Sequence, residues 1–97
     1  MFAVITTVRL KAGRIDDVRE MYKRIAPGLV AGDEDWVSAS FTADRQDDAI
    51  ALIAHWKSAE AYHRFAASDT YRTTMAQFER YFAHRPDVQV YEILVEL

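Results

Sequence analysis

The sequence predicts a single α+β domain in which helices cover one face of a four-stranded antiparallel sheet. Three observations support this prediction. Apolar segments with strand periodicity alternate with segments of helical periodicity, a polar cluster in mid-chain marks a hairpin, and 97 residues suffice for one modest core. The resulting order is β-α-β-β-α(α)-β, the ferredoxin-like plan. We therefore expect residues 1–97 to form one domain.

The first strand and helix follow from the amino-terminal third of the chain. Residues 2–10 are rich in β-branched side chains and predict a strand. Apolar residues then recur at helical spacing over 15–25, which predicts an amphipathic helix. Pro27-Gly28 is expected to end or kink this helix, because proline lacks the amide hydrogen that a helix interior needs.

A hairpin is predicted in the middle of the chain. Residues 36–43 alternate, with Phe41 on one face and Trp36, grouped with the serines, on the other. The polar cluster at 44–48 predicts the turn. Residues 49–56 are almost continuously apolar, which is typical of a strand covered on both faces.

Two capped helices and a last strand complete the plan. Ser58 is the expected N-cap of a helix over 59–67. Ser68 or Asp69 caps a second helix, which is expected to run to about His84. Residues 88–96 then predict the closing strand.

One face of the predicted sheet has no helix, although its third strand is apolar on both faces. The last strand would also present Tyr91, Ile93 and Val95 on one face. A large exposed apolar face marks an interaction surface. We therefore expect a homodimer in which two open sheet faces pack together.

Composition excludes several classes of protein. The chain has no Cys, which excludes disulfides, thiolate metal ligands and cysteine nucleophiles. A net charge of −3 with scattered basic residues argues against a nucleic-acid partner. No segment has the length of a membrane span or a secretory signal, so no membrane partner and a cytoplasmic location are expected. No motif for a metal or a phosphate loop is present.

The chain resembles the antibiotic biosynthesis monooxygenase family of the dimeric α+β barrel superfamily. The resemblance begins with the first strand followed by Lys-x-Gly at 11–13 and includes the hairpin at 44–48. Its most specific part is the sequence His-Trp-Lys-Ser-Ala-Glu-Ala-Tyr over 55–62, continued by Phe-Ala-Ala-Ser-Asp-Thr-Tyr-Arg over 65–72. The resemblance implies a dimeric α+β barrel.

Comparison with the quinone-forming members of that family implies a function. These enzymes carry a Trp at the end of the third strand and a Tyr at the start of the next helix, which match Trp56 and Tyr62. Leu52 and Phe41 replace an Asn and a Tyr of those members. The resemblance implies a monooxygenase that oxidises an aromatic or quinol-type small molecule with O2 and needs no cofactor or metal. The candidate catalytic residues are Trp56, Tyr62 and His63, and the candidate substrate-binding residues are Phe41, Leu52, Phe65, Tyr71 and Met75.

The haem-degrading members of the family offer a second comparison. They place an Asn in the first strand, a Trp in the second half and a His one turn after a Ser-Asp-x-aromatic motif, which lies here at 68–71. The corresponding positions here are Thr6, Phe65 and Met75, and all three depart from that pattern. These three departures therefore argue against haem degradation.

Two alternative functions remain open from the sequence. An isomerase or cyclase would use His63 or His55 as its base, since histidine titrates near neutral pH. A non-catalytic dimer that binds or senses a small ligand would keep the cavity without the reaction. Simple core packing also accounts for Trp56 and for the aromatic stripe that contains Tyr62.

Overall fold

The structure is a computed structural model that describes residues 1–97, and it contains four strands and three α-helices. In chain order these are β1 (Phe2–Arg9), α1 (Ile15–Val30), β2 (Trp36–Asp44), β3 (Ala49–Trp56), α2 (Ala59–Ala66), α3 (Asp69–Ala76), a 3₁₀ turn (Glu79–Tyr81) and β4 (Asp87–Glu92). No helix is long and apolar enough to cross a membrane.

The strands form one antiparallel sheet in the order β2-β3-β1-β4, which confirms the ferredoxin-like plan. β1 and β3 are the central strands, with Ile5 opposite Ile53. Side chains alternate between the two faces of a strand. The helix-covered face carries Val4, Thr6 and Val8 of β1 and Ile50, Leu52, Ala54 and Trp56 of β3.

The core consists of two clusters at opposite ends of this face. Cluster 1 contains Val8, Leu10, Ile15, Val18, Met21, Ile50 and Phe78. Cluster 2 contains Val4, Trp56, Ala61 and Tyr62. Val4 and Val8 are four residues apart on β1, which separates the clusters by about 13 Å along the strand. The space between them is not filled by buried side chains, and it forms the cavity described below.

The first helix does not end at Pro27 but continues to Val30, so that expectation was wrong for the end of the helix. The missing proline amide removes one helical hydrogen bond. The apolar stripe nevertheless continues at helical spacing through Leu29 and Val30, and both side chains lie against the interior. Packing on this side keeps the segment helical, while Pro27 and Gly28 remain exposed.

The third helix ends at Ala76 rather than near His84. The chain tightens into a 3₁₀ turn, and its backbone then bonds to the end of β1. The Lys11 amide donates to the Tyr81 carbonyl at 2.8 Å, and the Ala83 amide donates to the Arg9 carbonyl at 2.9 Å. These bonds to β1 replace further helical ones, and His84 lies exposed in the connection to β4 instead of at a helix end.

The two edge strands also differ from the prediction. β4 ends at Glu92 because its partner β1 begins at Phe2, directly opposite. Residues 93–97 therefore lie beyond the sheet. In β2, an irregularity in the register between Trp36 and Ser38 shifts the alternation, so that Trp36 lines the interior on the same side as Phe41.

Candidate functional site

A cavity of about 840 Å³ lies between the sheet and the three helices. Its size falls within the range of small-molecule sites, about 300–1,000 Å³. Most of its lining is hydrophobic, and the only charged residues among the lining are Lys23 and Asp33. A largely uncharged, apolar molecule suits such a space.

One end of the cavity is formed by four aromatic rings in contact. The Trp56 ring lies 5.0 Å from the Phe65 ring and 6.0 Å from the Tyr62 ring, in an edge-on arrangement with the latter. Phe65 in turn contacts Tyr71, with 4.9 Å between ring centroids. Such tilted contacts are favourable for aromatic pairs. We call this group of Trp56, Tyr62, Phe65 and Tyr71 the aromatic end.

Local sequence signals fix the elements that carry the aromatic end. Trp56 is the last residue of β3, and it is 2% exposed. The Ser58 hydroxyl accepts a hydrogen bond from the Ala61 amide at 3.1 Å and begins α2. The Ser68 hydroxyl does the same for the Tyr71 amide and begins α3. Ser58 is the predicted N-cap, and Ser68 is one of the two residues predicted to cap the next helix. Each serine sets the direction of a helix that places a tyrosine in the cavity.

The polar groups at the aromatic end have no partner within the protein. The Trp56 indole N–H and the hydroxyls of Tyr62 and Tyr71 make no hydrogen bond within the protein. Every side-chain nitrogen or oxygen atom that lacks a partner in this structure is at least partly accessible. These three groups therefore remain reachable. The three residues line the cavity, which makes these groups the candidate hydrogen-bond donors to a molecule within it.

Burial raises the pKa of both cavity tyrosines further above neutral pH. Burial, and secondarily the nearby Tyr71, raises the pKa of Tyr62 to about 12. Burial also raises the pKa of Tyr71. At neutral pH both phenols are hydrogen-bond donors, and neither is an available base.

Seven of the eight residues predicted for the site line this one cavity: Phe41, Leu52, Trp56, Tyr62, Phe65, Tyr71 and Met75. His63 does not; it is exposed on α2, with its ring 5.5 Å from that of Tyr62. His55 lies next to Trp56 on β3 and points to the opposite face of the sheet. The structure brings no histidine into the cavity.

The sequence reasoning missed several lining residues, among them Tyr22, Leu29 and Trp36. Tyr22 belongs to the apolar stripe of α1, and the spacing of that stripe predicts only an amphipathic helix. The length of that stripe, which continues past the buried residues to Leu29, is a signal that could have found this wall. The register irregularity that turns Trp36 inward leaves no such signal.

No group of three or more His, Asp or Glu side chains in the structure could hold a metal ion. The fold and the cavity define a ferredoxin-like α+β protein with an aromatic-lined cavity between its sheet and its helices. The chain belongs to the antibiotic biosynthesis monooxygenase family, whose sequence model matches residues 1–77. A comparison with curated proteins finds no match.

Solved structures share the fold at low sequence identity. A protein of Bordetella bronchiseptica assigned to the antibiotic biosynthesis monooxygenases is 14% identical, with a TM-score of 0.83 over 97% of each chain. A mutant of SnoaB, a cofactor-independent oxygenase from Streptomyces nogalater, is 13% identical, with a TM-score of 0.81 over 99% of this chain and 95% of that one. Rv0793 from Mycobacterium tuberculosis is 19% identical, with a TM-score of 0.78 over 98% and 96% of the two chains.

Proposed function

We propose that this protein is a cofactor-independent monooxygenase that oxidises an aromatic or quinol-type small molecule with O2. The observation that carries the proposal is the indole N–H of Trp56, a donor without a protein partner at the wall of an apolar cavity. Family membership and the fold shared with SnoaB support the same chemistry.

The reaction requires no electrons from the protein. An activated aromatic CH2 group releases a proton to the solvent, and the resulting anion passes one electron to O2. The substrate radical and superoxide combine to a peroxide anion, which takes up a proton again, loses water and leaves a carbonyl. The balance is one CH2 and one O2 giving one C=O and one H2O.

The aromatic end has two roles in this proposal. The Trp56 N–H and the Tyr62 hydroxyl donate hydrogen bonds to the substrate oxygen that carries the negative charge, which favours loss of the proton. Tyr71 offers a third donor from α3. The apolar walls exclude water, which strengthens these hydrogen bonds and keeps the radical pair together.

Oxygen uptake tests the proposal. The panel contains anthrone, activated phenols and hydroquinones, and the wild type is compared with Trp56→Phe, which keeps an aromatic ring but loses the donor. We expect uptake above the uncatalysed rate and a loss of about a hundredfold to a thousandfold in kcat for the variant. With anthrone and ¹⁸O2, one labelled oxygen should enter each product molecule, at the carbonyl formed from the CH2 group.

Two controls make that result specific. Thermal unfolding of Trp56→Phe separates lost chemistry from lost structure. Tyr81→Phe removes a tyrosine hydroxyl outside the cavity, which accepts a hydrogen bond from Arg80, and should leave uptake unchanged. Uptake at the uncatalysed rate for every panel member would argue against the proposal.

A ligand-binding protein without catalysis is the second candidate. Phe41 and Leu52 favour it, because both line the cavity with apolar side chains where the quinone-forming members carry polar ones. Tight binding of an aromatic ligand without oxygen uptake would support this candidate. An isomerase that uses a histidine base is not proposed, because neither His55 nor His63 lies in the cavity.

We also propose that the functional unit is a homodimer formed through the open sheet face. Ile5 and Ile53 lie opposite each other at the centre of this face. Beyond β4, Leu94 and Val95 are 82% and 74% exposed. A second copy would cover both surfaces, and it would close the two sheets into the barrel that the resemblance implies.

A further inference from the structure

The cavity has a second polar wall that the proposed chemistry at the aromatic end does not use. Tyr22, on α1, lines the cavity and packs its ring against Phe41 on β2, with 5.4 Å between ring centroids. It contacts cluster 1, whereas Tyr62 belongs to cluster 2. The two tyrosines therefore lie towards opposite ends of the same space.

The Tyr22 hydroxyl is an unpaired hydrogen-bond donor on a residue that lines the cavity. It makes no hydrogen bond within the protein, and it is not sealed from its surroundings. Tyr81 shows the contrast, because its hydroxyl accepts a hydrogen bond from Arg80 at 3.0 Å. Burial raises the pKa of Tyr22 further above the physiological range, so this phenol is neutral there.

The register of the sheet gives the backbone spacing between the two walls. Tyr22 contacts Phe41, which pairs with Leu52 on β3. Leu52 and Trp56 are four residues apart on that strand, or about 13 Å. A ligand that reaches both walls must therefore be elongated, with two or three linked rings.

We propose that Tyr22 is a specificity-determining residue that binds a second hydrogen-bonding group of the ligand, at the end remote from Trp56. The preferred ligand is then a neutral, elongated aromatic molecule with a hydroxyl or carbonyl group at each end. A molecule with one such group leaves the Tyr22 hydroxyl unpaired. The inference deepens the proposed function, since it concerns the ligand of the same cavity.

Calorimetric binding of two probes tests the inference. The probes are p,p′-biphenol, with a hydroxyl at each end, and p-phenylphenol, with one. Wild type should bind p,p′-biphenol more tightly by about fivefold to tenfold, the value of one additional hydrogen bond. Tyr22→Phe should remove this advantage and leave the affinity for p-phenylphenol unchanged, because that probe can place its hydroxyl at the aromatic end.

The same two probes also serve for a control variant and for the outcomes that would contradict the inference. Tyr81→Phe should bind both probes as wild type does. An equal loss for both probes in Tyr22→Phe would make Tyr22 a packing residue and overturn the inference. Equal affinity of the wild type for the two probes, or no binding of either, would also overturn it.

Binding and turnover separate the inference from the proposed function. The predicted binding pattern without oxygen uptake on any substrate would leave the role of Tyr22 standing and reject the monooxygenase. If wild type consumes oxygen but Tyr22→Phe keeps the wild-type preference between the probes, the monooxygenase stands and the role of Tyr22 is rejected.

Discussion

Tyr62 combines a buried ring with a hydroxyl that has no partner in the protein. Its side chain is 8% exposed, and burial raises its pKa to about 12. The phenol therefore stays protonated over the whole physiological range and serves as a donor. In the proposed reaction the proton must leave because of the substrate's own acidity, so the rate should follow the ionisation of the substrate and not that of Tyr62.

The raised pKa of Tyr62 also predicts how stability depends on pH. An unfolded tyrosine releases its proton near pH 10.0 and the folded one near pH 12, so alkali favours the unfolded chain between these values. This loss of folding stability is absent below about pH 10 and grows as the pH rises towards 12. Tyr62→Phe should show a smaller loss of unfolding free energy over this window than wild type, measured by urea denaturation.

The matched variant for this experiment is Tyr81→Phe, which changes a tyrosine in the 3₁₀ turn that lies outside both the cavity and the open sheet face. Its stability should fall with pH as that of wild type does. An identical alkaline slope for Tyr62→Phe and wild type would show that Tyr62 ionises as easily in the folded state as in the unfolded one.

At the scale of the elements, α2 depends on its N-cap for its direction over the cavity. Ser58→Ala removes the acceptor of the Ala61 amide and should lower the unfolding free energy by about 1 kcal/mol. For a domain of this size the melting temperature should fall by about 4–8 °C. Ser58→Asp keeps an acceptor at this position and should retain most of the stability, whereas an equally large loss in that variant would contradict a capping role.

The sequence predicts elements well where a local signal acts alone, and less well where distant contacts compete. Ser58 and Ser68 cap helices as expected, because a cap is made within four residues. The course of α1 past Pro27 depends on the cavity wall, and the end of α3 depends on backbone bonds to β1. Neither of these long-range contacts can be inferred from the residues next to Pro27 or Ala76.

The same distinction applies to the site. Trp56 and Tyr62 could be selected by their resemblance to a family motif, and their location in one cavity needed only the order of the elements. Tyr22 could not be selected, because helical spacing identifies an apolar face but not whether that face meets packed side chains or a cavity. Trp36 required a register irregularity that only the folded sheet shows.

At the scale of the whole molecule, a single copy leaves one sheet face uncovered. The helices cover the face that carries Trp56, while Ile5 and Ile53 lie on the other. The carboxyl-terminal residues 93–97 extend beyond the last strand pair with apolar side chains exposed. A second copy is the partner we propose, because it would cover the sheet face and the terminal segment of both chains with one interface.

Light scattering at micromolar concentration tests the dimer. Wild type should have twice the mass of one chain, and Ile53→Asp should shift the mass to that of a monomer, because two buried carboxylates would face each other across the symmetric interface. Ala12→Asp adds the same charge in the exposed turn after β1 and should remain dimeric. If Ile53→Asp fails to fold, the milder variant Ile53→Thr serves as the test, and it should also weaken the dimer. A monomeric wild type would reject the dimer and leave the exposed Leu94 and Val95 without a partner.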